Sequence, residues 1–184
     1  YVDDADIIFS SDDGSGGVKS YFYLDGSVGA TVFPDSSKLY FGTSHDAYIE
    51  HDGTNTYLAN NTGSLIIRTA TDDADVILQS DDGSGGITAY LTLDGSLVRT
   101  EAAKDILFLD DVAARFGNSG DLLLTHDGSN SYISNHSGGH LYIQQNLDDR
   151  DIVLQCDDGS GGTTAYLTLD GSATRTAVHK NMLF

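Results

Sequence analysis

The feature that most constrains this chain is a near-identical block that returns three times. SDDGSGG at residues 11–17 leads into a run ending Tyr23-Leu24-Asp25-Gly26-Ser27. The block returns as SDDGSGGITAYLTLDGS at 80–96 and as CDDGSGGTTAYLTLDGS at 156–172. A short apolar run precedes each copy: Asp6-Ile-Ile-Phe9, Asp75-Val-Ile-Leu78 and Asp151-Ile-Val-Leu154. Between these blocks lies a second repeated module. The stretch 39–58 (LYFGTSHDAYIEHDGTNTYL) matches 114–133 (ARFGNSGDLLLTHDGSNSYI). Gly63-Ser-Leu-Ile-Ile-Arg68 likewise matches Gly139-His-Leu-Tyr-Ile-Gln144. The period is roughly 75 residues, and self-similarity at a fixed period implies serial units rather than one globule. The units divide as 1–27, the end of a first unit; 28–96, a second and shorter one containing the lone Pro34; 97–172, a third; and 173–184, the start of another. Tyr1 is no initiator and the chain opens inside a repeat, so the expectation is a fragment of a longer chain.

Within each unit the apolar residues alternate. Side chains at i and i+2 share one face of a strand. The expected inward pairs are Phe22 with Leu24, Leu39 with Phe41, Ala47 with Ile49, Leu65 with Ile67, Val76 with Leu78 and Leu91 with Leu93. In the next copy they are Ala114 with Phe116, Leu122 with Leu124, Leu141 with Ile143, Ile152 with Leu154 and Leu167 with Leu169. Turn signals at 8–12-residue spacing read as an all-β arrangement of five or six short strands per unit. His51-Asp-Gly and His126-Asp-Gly predict hairpins. The Gly-rich DDGSGG stretch predicts a longer loop, since Gly reaches positive φ at no steric cost. Residues 98–109 look briefly helical, but their counterparts do not.

Each unit supplies only about ten to twelve core residues, and Trp is absent. So thin a core rarely stands alone, and it leaves sheet edges unpaired. Stacked solenoid coils are typically ~20–45 residues long, and no sub-period of about 20–30 residues is visible. Symmetric association of identical chains closes edges and multiplies the core, and three chains are expected. The net charge of −19, with 28 acidic against 9 Lys and Arg residues, argues against nucleic acid and against anionic membranes. No stretch approaches the ~18 apolar residues of a membrane-crossing helix, and no signal peptide is read at the start.

The combination of DDxDI, SDDGSGG and LDGS with a following FGxxxD and HDGTN resembles repeats in tail-fibre and related structural proteins of tailed bacteriophages, especially cyanophage-like ones. The resemblance covers nearly the whole chain. It implies an elongated homotrimeric β-shaft, intertwined or side by side, in the virion. It also implies neighbouring tail proteins as partners, and a host glycan or receptor engaged through a part outside this chain.

Four groups are candidates for chemistry. Asp12-Asp13, Asp81-Asp82 and Asp157-Asp158 could begin a calcium site, since hard cations want six or more oxygen ligands. A calcium-stabilised bacterial adhesin of tandem β units is the alternative function. The plainer reading makes these aspartates solvated turn residues. His51 and His126 could meet on a threefold axis around a metal, or support the Asp-Gly turn, and the second reading is adopted. Glu50 and Glu101, the only glutamates, and the many aspartates could form a glycosidase pair. The carboxylate clusters recur in every unit, however, whereas a catalytic pair would occur once. No catalytic, cofactor or metal residue is assigned, and no enzyme is expected. Cys156 stands where the other copies carry Ser11 and Ser80, a thiol in place of a hydroxyl. Asn60-Asn-Thr62 and Asn135-His-Ser137 match glycosylation sequons and serve equally as turn residues.

Overall fold

A computed structural model describes residues 3–181. They form fifteen strands and no helix, arranged as five three-stranded antiparallel sheets in which each strand pairs with its neighbour in sequence. The chain divides into two bodies, Tyr1–Lys104 and Asp105–Phe184. The first holds three sheets: β1 (Ile7–Asp12), β2 (Val18–Asp25) and β3 (Ala30–Val32); β4 (Leu39–Phe41), β5 (Ala47–His51) and β6 (Thr56–Asn60); β7 (Val76–Asp81), β8 (Ile87–Asp94) and β9 (Arg99–Ala102). The second holds β10 (Ala114–Phe116), β11 (Leu122–His126) and β12 (Ser131–Asn135), then β13 (Ile152–Asp157), β14 (Thr163–Asp170) and β15 (Arg175–Val178). The outermost residues of the two expected partial units, 1–2 of the stretch 1–27 and 182–184 of the stretch 173–184, lie outside the described residues.

Two meander types alternate. In the DDGSGG type the loop joins the two long strands. Val76 faces Leu93 and Leu78 faces Leu91 across β7 and β8, then the register slips by one at Gln79. The slip recurs in β1–β2 and β13–β14. It leaves Tyr21, Tyr90 and Tyr166 without a register partner on β1, β7 and β13, and a bulge of this kind re-aims a side chain. Each freed tyrosine hydroxyl donates to the carbonyl at the loop entry: Tyr21 to Asp12 at 2.7 Å, Tyr90 to Asp81 at 2.8 Å and Tyr166 to Asp157 at 3.1 Å. In the HDG type, Leu39, Ile49 and Leu58 line up across three strands, as do Ala114, Leu124 and Ile133.

Two expectations are not met within the single chain. First, the apolar pairs do share faces, but among the described residues no apolar side chain is buried. Leu78 keeps 54% of its surface in water and Phe116 keeps 52%. A three-stranded sheet has two faces and nothing in the same meander to cover either. Among the described residues only Ser37 and Thr168 are buried. Second, Leu65 with Ile67 and Leu141 with Ile143 lie in no strand. Strand assignment needs a ladder partner, and none is offered to them among the described residues. The hint of helix over 98–109 resolves into β9 followed by irregular chain.

The hairpin at His51-Asp-Gly has a four-residue loop, Asp52 to Asn55, rather than a two-residue one. Asp52 explains the length. Its carboxylate accepts from the N–H groups of Thr54 and Asn55 at 2.9 and 2.8 Å, while its own N–H donates to the Asn55 carbonyl. An aspartate that bonds to the backbone two and three residues on builds its own turn.

Candidate functional site

The repeated acidic motifs are closed turns. Asp12, Asp81 and Asp157 each accept the N–H of the glycine two residues on at 2.7 Å. Their neighbours Asp13, Asp82 and Asp158 each accept two more N–H groups. For Asp82 these come from Ser84 at 2.8 Å and Gly86 at 3.0 Å. Their carboxyls sit below the usual carboxylate range because these donors favour the ionised form. The hydroxyl of Ser84 leads for Asp82 and that of Ser160 for Asp158, and the N–H of Ser15 leads for Asp13. Among the described residues no three His, Cys, Asp or Glu side chains converge on a common point.

The sequence reading gave no role to the aspartate that opens each unit's long strand. Asp6, Asp75 and Asp151 reach across the sheet and accept the N–H of Gly26, Gly95 and Gly171 at 3.0 Å in all three copies. A side chain at Gly95 would stand 2.5 Å from the Ala74 carbonyl oxygen. The glycine of LDGS is thus required by a close backbone approach. The legible signal was the fixed spacing from DI to LDG.

His51 and His126 place Nδ1 3.1 Å from the hydroxyls of Thr56 and Ser131 across their hairpins. This is the turn-supporting arrangement. Glu50 pairs with Lys38 at 3.4 Å, and that lysine also lies over the Tyr48 ring. Glu101 pairs with Arg99. The two glutamates lie in different sheets. Cys156 is exposed. The side-chain amides of Asn60 and Asn135 donate to the carbonyls of Thr62 and Gly139.

What remains without partners is apolar. A 160 Å³ cleft is formed by Val76, Leu78, Leu91 and Leu93 with Ile67 beside them. In the second body a 430 Å³ groove runs over Ala114, Leu124 and Ile133 with Phe108. Another groove of 420 Å³ is mixed: Ile152 and Leu169 lie among Gln145, Arg150, Asp170 and Arg175. The extended segments beside these faces are as open: Ile66 is 75% exposed and Leu107 83%. The total makes the same point. The chain exposes 14814 Å² at a mass of 19.6 kDa. Two separate compact bodies of its parts would expose about 10 300 Å². A surplus of roughly 4500 Å² therefore stands in water, on the scale of an obligate interface.

No family model, no curated protein and no solved structure matches this chain.

Proposed function

We propose that the chain is a structural segment of a bacteriophage tail fibre, in which three copies associate as a shaft that supports host attachment. The observation that carries this reading is a fully formed series of meanders in which, among the described residues, no apolar side chain is buried. Small sheets whose apolar faces stay in water bury too little surface to offset the entropy of ordering the chain. Identical chains packed about a shared axis would cover those faces and close the edges. The sequence resemblance to tail-fibre repeats supports the same assignment, and so does the recurrence of every acidic cluster, which favours a structural role over a catalytic one. On this reading the protein belongs to the virion, other tail proteins adjoin it, and receptor contact is made elsewhere in the fibre.

Sedimentation equilibrium and small-angle scattering test it. The expected mass is three times the 19.6 kDa of one chain, resistant to dilution, with a radius of gyration well above the ~16 Å of a compact monomer of this length. A monomer with a radius near that value overturns the proposal.

A further inference from the structure

Two stretches of this chain have the sequence of strands and, among the described residues, nothing to pair with. Residues 64–70 (SLIIRTA) and 140–146 (HLYIQQN) are rich in β-branched, aromatic and aliphatic residues, the composition that favours a pleated ladder. They belong to no sheet. Among the described residues none of their backbone N–H or C=O groups has a protein partner. Ile66 and Tyr142, which occupy the same place in successive units, are 75% and 74% exposed. A row of unpaired backbone groups flanked by apolar side chains is a template for another strand.

The occupant is identified by period and by charge. The same open segment recurs one unit further on, so its partner must offer matching edges at the same interval, as a second copy of this chain does. A copy carrying −19 is repelled by another wherever carboxylates meet. The two longest runs free of Asp and Glu are residues 53–71 and 128–147, and they contain both unpaired segments. The surplus surface of roughly 4500 Å² is enough for an obligate contact between copies.

We propose that residues 64–70 and 140–146 are strands formed only between chains, each completing its ladder on a second copy. This rests on the homo-oligomeric reading above and adds the element that joins the copies. The ladder satisfies the backbone, while Leu65, Ile67, Leu141 and Ile143 extend the neighbouring apolar faces. It also accounts for the failure of a sound strand prediction at these two places.

Amide hydrogen exchange on the 184-residue chain, with its mass measured in the same buffer, tests the proposal. An oligomer is expected in which the amides of residues 65–68 and 141–144 exchange at least ~100-fold more slowly than unstructured chain. An oligomer in which those amides exchange at unstructured rates overturns the inference and leaves the fibre reading standing. A chain that stays monomeric at all concentrations overturns both. The double variant Ile66→Pro with Tyr142→Pro removes two ladder donors per chain. It is expected to raise the concentration at which the oligomer dissociates at least ~10-fold, and an unchanged midpoint counts against the proposal. Should that variant fail to fold, Ile66→Lys with Tyr142→Lys keeps every N–H and places like charges between copies. The same rise is expected of it, and an unchanged midpoint again counts against the proposal.

Discussion

At the scale of single residues, the repeat is written in backbone conformation as well as in letters. Asp4, Asp73 and Asp149 occupy equivalent places and all have φ between 56° and 59°. An aspartate tolerates that left-handed region better than most side chains. Val98 and Thr174 sit at φ 52° and 51° where the first copy has Gly29 at 65°. A β-branched residue there carries a steric cost of about 1–2 kcal/mol, part of which glycine returns as lost chain entropy in folding. Val98 is 89% exposed, so no packing is forfeited by removing its side chain. Val98→Gly is therefore expected to stabilise the chain by about 0.5–1 kcal/mol, read as a higher melting temperature. A lower one would show that the valine side chain is held by something other than this turn. These turn residues were the most legible part of the site. Asp, Gly and Ser act over two to four positions, and local sequence contains everything that decides the result.

At the scale of elements, strands whose partners lie within one loop were readable and the others were not. Leu39–Phe41, Ala47–His51 and Val76–Asp81 fall where alternation put them, because each meets its partner across a short turn. The segment at Leu65 and Ile67 has equal propensity and, among the described residues, no neighbour to pair with. The helical look of 98–109 failed for a related reason. Arg99 to Ala102 is captured by β8, with Glu101 opposite Thr92, and a ladder outweighs the weak preference of Glu and Ala for helix. The apolar pairs share faces as the alternation requires, and within one chain those faces are uncovered. That exposure has a measurable consequence. Leu78 is 54% exposed in one chain, and a substitution on a free surface costs no more than about 0.5 kcal/mol. Under the proposed association the same face is a core, and Leu78→Ala is expected to cost about 2 kcal/mol or more in denaturant unfolding of the assembled protein. A loss inside the surface range would mean that the face stays in water.

At the scale of the whole molecule, many small carboxylate turns act together against a large self-repulsion. Asp13, Asp25, Asp52, Asp82, Asp94, Asp158 and Asp170 all have carboxyls below the ordinary value of 3.8, and Asp127 is held down to about 2, chiefly by the N–H of Asn130. A carboxyl with a lower value in the folded state than in the unfolded one stabilises the fold fully above the unfolded value. That contribution disappears as pH falls through the folded value. The melting temperature is therefore expected to fall between pH 3.8 and about 2, followed by circular dichroism at fixed chain concentration. No fall over that window would remove the turns as a source of stability. The sequence by itself determined the all-β character, the turns, the strand faces and the recurrence of the two meanders, because each depends on contacts closed within a single meander. The tertiary structure alone decided that these faces are uncovered within one chain and that residues 64–70 and 140–146 have no partner among the described residues. Burial and ladder pairing depend on what stands opposite a strand, and no alternation pattern within the strand itself specifies that.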